Sequence, residues 1–73
     1  MNLPYMERVE SSNVSSLGYD DSSERLFIKF NSGAIYVYYD VPIEEYNNLL
    51  TASSIGSYVW TNIRDRYTYE NIS

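Results

Sequence analysis

The sequence predicts a small α+β domain: a three-stranded antiparallel β-meander followed by two helices packed on one face, in the order β-β-β-α-α. Three observations lead there. Short runs dense in β-branched and aromatic residues, separated by turn residues, occupy the first half of the chain. Apolar residues at helical spacing follow them, and 73 residues leave room for a single core. Strands followed by helices are the pattern of an antiparallel sheet with its helices on one side.

Residues 1–8 read as an N-terminal arm, because Pro4 works against a helix there. Residues 9–72 form the domain, with Arg8–Ser12 free to extend. The first strand is Val14–Tyr19, ending at the turn-rich Asp20-Asp21-Ser22-Ser23-Glu24. Leu26–Phe30 and Ala34–Tyr39 make a hairpin around Asn31-Ser32-Gly33, where glycine supplies the positive φ that a tight turn needs. Pro42 suits the first position of a helix, and Glu44 and Glu45 fall in its first turn, where the helix dipole favours negative charge. Ile43, Tyr46, Leu49 and Leu50 give that helix one apolar stripe. Ser53 or Ser54 caps a second helix over about Ile55–Arg66, with Ile55, Tyr58 or Val59, and Ile63 facing inward. The tail, Tyr67–Ser73, carries no clear pattern.

Composition narrows the function classes. A chain this short hides only about 60% of the surface its unfolded form exposes. It has no Cys to staple it and no His for a zinc site, so nine Tyr, two Phe and one Trp must supply bulk, or self-association must. No apolar run approaches the ~20 residues of a membrane span, and Met1–Glu10 lacks a signal-peptide core. A cytoplasmic protein without membrane contact is the expectation. Ten acidic against five basic residues give a net charge of −5, which opposes binding to DNA and long polynucleotides but leaves room for a local anion site. Catalysis has little to work with: Ser and Thr lack a base in register, and Glu44 and Glu45 diverge as sequence neighbours on a helix. No enzyme activity, cofactor or metal is expected. The Asp20, Asp21 and Glu24 turn reads as solvated, since it lacks the ligand pattern of a calcium loop.

Several elements in order resemble the KTSC domain, a domain found at the C-terminus of some lysyl-tRNA synthetases and as small stand-alone bacterial and phage proteins. They are Ser15-Ser16-Leu17-Gly18-Tyr19-Asp20, Leu26-x-Ile28-x-Phe30, Gly33 with Tyr36-x-Tyr38, and Val41-Pro42. Tyr46, Leu49-Leu50, Ser57-Tyr58, Ile63-Arg64 and Tyr67-x-Tyr69 complete the set. The match runs over about Val9–Ile72. Ser57 stands where the family is often basic, and Val59-Trp60 where it usually reads Phe-Asn. The resemblance implies RNA binding, as proposed for the family, without a defined mechanism.

Two constellations remain. Arg64 and Arg66, with Tyr58, Trp60 and Tyr67, form a basic-aromatic cluster suited to an anion, because guanidinium pairs with phosphate and stacks on rings. Tyr36 and Tyr38 share one strand face and either stack a base or turn to the helices as core. If they turn inward with Leu26, Ile28 and Phe30, then Phe27, Lys29, Ile35, Val37 and Tyr39 face outward. That largely apolar patch predicts a homo-oligomer interface. The leading expectation is a non-catalytic binding module for RNA or a nucleotide-like ligand. Two alternatives stay open: a phage-type oligomer that sequesters a nucleotide immune signal, and a protein-interaction domain without a small ligand.

Overall fold

The structure, a computed structural model, describes residues 3–73. Its strands are β1 (Met6–Arg8), β2 (Val14–Asp20), β3 (Arg25–Phe30), β4 (Ile35–Tyr38) and β5 (Tyr69–Asn71), and they lie side by side in chain order, every neighbouring pair antiparallel. Between β4 and β5 come α1 (Ile43–Leu50) and α2 (Ile55–Tyr58), the latter running on as a π-helical stretch, Val59–Ile63. None of these helices is long and apolar enough to cross a membrane. The architecture is the expected α+β type, but the described residues hold five strands where the pattern predicts three. The two extra strands are three residues long, mostly exposed and without alternation, so no periodicity betrays them. They form because β2 and β4 would otherwise leave their backbone groups unpaired, and the arm and the tail pair with them.

Local chemistry accounts for the elements that were legible. Gly33 sits at φ 98° in the β3–β4 turn, where its N–H donates to the Phe30 carbonyl. Pro42 precedes α1, and Glu44 and Glu45 occupy its first turn. Ser54 caps α2, its hydroxyl accepting from the Ser57 N–H at 3.3 Å. The second helix ends three residues earlier than Arg66. Its last turns loosen to π geometry, with the Arg64 N–H donating to the Val59 carbonyl five residues back.

The core lies between the helices and one sheet face. Leu17, Leu26, Ile28 and Tyr38 from the strands meet Val41, Leu49, Val59 and Ile63, all buried. Tyr19 stacks on Tyr46 of α1 with ring centres 5.1 Å apart, and its hydroxyl donates to the Val41 carbonyl at the start of the helical half. Each large aliphatic side chain buried this way contributes on the order of 1.5–3 kcal/mol, which a chain of this size needs in full.

The other sheet face overturns one expectation. Phe27 and Val37 were placed on a bare outer surface, yet both are fully buried. Alternation is as predicted, since Gly18, Phe27, Val37 and Glu70 form one outward row across the sheet. The missing piece is the arm. Met6 pairs with Gly18, and a Cβ on Gly18 would lie 2.5 Å from Met6 Sδ and 3.1 Å from Pro4 Cγ. The absent side chain lets the arm lie flat against the sheet beside Phe27, while the Arg25 guanidinium covers its ring from 5.4 Å. Of the five residues assigned to a contact surface, Lys29 alone is exposed, and Ile35 and Tyr39 are half-buried. Tyr39 donates its hydroxyl to Glu70 of β5 at 2.6 Å. Phe27 and Val37 therefore act as a second small core rather than as contact residues.

Candidate functional site

The helices leave one end of the inner sheet face open. β4 and β5 there present Tyr36, Tyr38 and Tyr69, and α2 with its π stretch stands opposite with Gly56, Val59, Trp60 and Arg64. The space between is a cleft of about 630 Å³, inside the range of small-molecule sites. Register explains the aromatic wall. Tyr38 and Tyr69 are direct cross-strand partners, and Tyr36 follows two residues earlier on the same face. Tyr36 lies within 5.5 Å of Tyr69 and 6.4 Å of Tyr38, both near-parallel, and Phe30 meets Tyr36 edge-on at 5.6 Å. Tyr69 and Trp60 keep more than half of their surface free, 53% and 64%.

Arg64 supplies the charge. Its guanidinium lies over the Trp60 ring at 3.8 Å and makes no ion pair with any described residue. The four-residue spacing sets the two side chains on one helix face. Burial pushes the Tyr38 hydroxyl up to about 12, with Tyr36 and Tyr69 adding to the rise and Arg64 opposing it, so the cation acts on the aromatic wall. At the far end of the cleft the lining turns polar, with Ser12, Asn13, Asn31 and Ser32. No carboxylate lines it. The arrangement offers flat π-faces, one cation and a set of neutral hydrogen-bonding groups.

The structure divides the basic-aromatic cluster expected from sequence. Trp60 and Arg64 join Tyr36 and Tyr38 in the cleft. Tyr58 and Tyr67 turn instead to Glu45 of α1, whose two carboxylate oxygens each accept one phenol: Oε2 from Tyr58, and Oε1 from Tyr67 at 2.8 Å. Arg66 sits near this corner, where its charge acts on both hydroxyls. Tyr58 is raised chiefly by its bond to Glu45. Burial, then the same carboxylate, lifts Tyr67 to about 12. Glu45, Tyr58 and Tyr67 tie α1, α2 and the C-terminal segment together, and Tyr58, Arg66 and Tyr67 do not line the cleft. Sequence reasoning missed Phe30, Tyr69, Asn13 and Asn31 as lining. The spacing of two between Tyr58 and Trp60 was the available signal that they diverge.

The acidic turn is also accounted for. Asp20 accepts from the Ser22 and Ser23 hydroxyls at 2.7 and 2.9 Å and pairs with Arg25 at 3.1 Å. These bonds, the serines first, hold its carboxyl well below the usual carboxylate range.

Comparison with known proteins fits this geometry into one group. Residues 10–67 match the KTSC domain family. A protein of Tsukamurella paurometabola is 40% identical over 62 residues, covering 85% of this chain and 92% of the relative. A lysine–tRNA ligase of Nostoc is 33% identical over 64 residues, 88% of this chain but 11% of the ligase. The crystal structure of a KTSC domain protein from Yersinia pestis superposes with a TM-score of 0.92 at 29% identity, covering 94% of this chain and 97% of the other.

Proposed function

The chain belongs to the KTSC domain family, and on that footing we propose that it is a non-catalytic binding module for a nucleotide-like ligand, taken free or at the end of an RNA. The observation that carries this reading is the Arg64 guanidinium, held on the Trp60 ring at the mouth of a cleft walled by Tyr36, Tyr38 and Tyr69. Aromatic faces left open beside an uncompensated guanidinium suit a planar base joined to a phosphate. One cation in the cleft, in a chain of net charge −5, favours a single phosphate over a long polyanion, which needs several. The lysine–tRNA ligase relatives keep an RNA end within the reading, since their name gives them a tRNA to act on.

Trp60 is the one tryptophan of the chain, so its fluorescence reports on the cleft directly. Titration with mono-, di- and cyclic nucleotides is expected to quench it saturably. Arg64→Ala should weaken the interaction about tenfold or more, the loss of one charge-assisted contact. If no nucleotide changes Trp60 emission or the melting temperature, the proposal fails.

A further inference from the structure

The polar end of the cleft is built differently from its cationic end. Asn31 donates its Nδ2 to the Ser12 carbonyl at 2.9 Å and to Ser11 at 3.4 Å, and its backbone N–H donates to the Asn13 carbonyl at 2.8 Å. Ser11 accepts in turn from the backbone N–H groups of Asn13 and Val14, both at 3.2 Å. The loop that carries Asn13 is thus pinned from both sides. Asn13 is exposed, and its side-chain amide lines the cleft and bonds to no described residue, which leaves it open to a ligand. A Cβ on Gly56 would stand 3.3 Å from Asn13 Nδ2, so the amide rests against the first turn of α2.

We infer that Asn13 reads the base of the bound nucleotide and selects adenine, so that the ligand is an adenosine phosphate. This rests on the nucleotide reading proposed above. A terminal carboxamide presents one donor and one acceptor in a plane, the complement of the amino group and ring nitrogen that adenine and cytosine both carry on one edge, and of these two the larger purine covers more of the aromatic wall. A carboxamide set on the N1–H and O6 of guanine leaves its amino donors unanswered, whereas a carboxylate matches N1–H and the amino group together, and no carboxylate lines the cleft. The other edge of guanine takes an arginine, and Arg64 lies at the opposite end. Asn31 has committed its donors to carbonyls, so its Oδ1 adds only acceptor character to this end. Gly56 and Arg64 are separated by roughly 10–12 Å at the ~1.5 Å rise of a helix. A base edge at Asn13, rings against the tyrosine wall and a phosphate at Arg64 follow the order base, sugar, phosphate along that length.

The test titrates AMP, CMP, GMP, UMP and a short adenosine-ended RNA against wild type, Asn13→Ala, Asn13→Asp and Arg64→Ala, read by Trp60 fluorescence and calorimetry. AMP is expected to bind wild type more tightly than CMP, GMP or UMP, and equal binding of AMP and CMP would overturn selection of adenine. Asn13→Ala should lower AMP affinity roughly tenfold, within the range for one bidentate amide contact, and level the nucleotides. Asn13→Asp, which offers only acceptors, should turn the preference toward GMP. The added charge acts on all phosphates alike and cancels from that ratio. Tighter binding of AMP or of the RNA shows whether the adenosine phosphate is free or an RNA end, and an adenine preference lost with Asn13 supports the inference in either case. Equal binding of all bases to wild type and Asn13→Ala, with Arg64→Ala still impaired, overturns base reading and leaves the nucleotide proposal standing. No binding of any probe to wild type overturns both.

Discussion

Two corners of this domain are built from the same materials and do different things. At Glu45, Tyr58 and Tyr67 direct their hydroxyls onto one carboxylate and Arg66 stands by. In the cleft, Tyr36 and Tyr69 stack beside Trp60 and Arg64 with the buried Tyr38 at their back, and the three hydroxyls donate to no described residue. What separates the two is whether the polar ends are used inside the molecule. A tyrosine whose hydroxyl is bonded to a carboxylate joins elements, whereas one whose ring face stays open is available to a ligand. The acidic partner decides it, since Glu45 lies within reach of one group and no carboxylate lines the other.

The largest expected effect lies at the closed corner. Glu45→Ala removes the acceptor of two phenols on different elements, and the two lost charge-assisted bonds should cost about 2–3 kcal/mol after allowance for their partial exposure. Urea unfolding measures this. Nucleotide-induced quenching of Trp60 should persist in the folded fraction with unchanged affinity. A variant as stable as wild type, or one that loses binding while folded, would break the division between the corners.

A smaller effect is expected at the open end. Tyr69 is 53% exposed and sits on the edge strand, so Tyr69→Ala should change stability by less than about 1 kcal/mol. If its ring stacks on a base, the same variant should weaken nucleotide binding by about 1–2 kcal/mol. Calorimetric titration beside the urea curve separates the two quantities. Loss of stability without loss of binding would move Tyr69 into the structural group.

How far this division could be read in the sequence depended on spacing. Trp60 and Arg64 are four apart and were legible as neighbours, and the inward row of Leu26, Ile28 and Tyr38 followed from alternation. Tyr58 and Tyr67 looked equally suited to the anion cluster, because nothing local shows that Glu45 reaches them from another helix. Tyr69 could not be placed, since β5 is three exposed residues whose strand state comes from pairing with β4. The outer face failed for a related reason. A glycine inside a strand often marks the close approach of another backbone, and Gly18 held that signal. The sequence does not say that Pro4 and Met6 are what approaches.

The finest test of the comparison is the titration of the two most strongly shifted phenols, the buried Tyr38 and the half-buried Tyr67. Tyr38 and Tyr67 are both raised to about 12, each mainly by burial, but different neighbours act on them. Arg64 pulls Tyr38 down, and Arg66 pulls Tyr67 down. A phenol held protonated in the fold above its unfolded value of 10.0 contributes stability that is fully present below pH 10. That contribution is lost as pH rises toward about 12, because the unfolded chain ionises first. Stability should therefore fall across that window, by less in Tyr38→Phe and in Tyr67→Phe than in wild type. Arg64→Ala should move the Tyr38 transition upward and leave Tyr67 in place, and Arg66→Ala should do the reverse. Carbon NMR of the tyrosine Cζ atoms resolves both transitions. If either arginine variant shifts both tyrosines equally, the two corners share one electrostatic environment, and the carboxylate at Glu45 is then not what divides them.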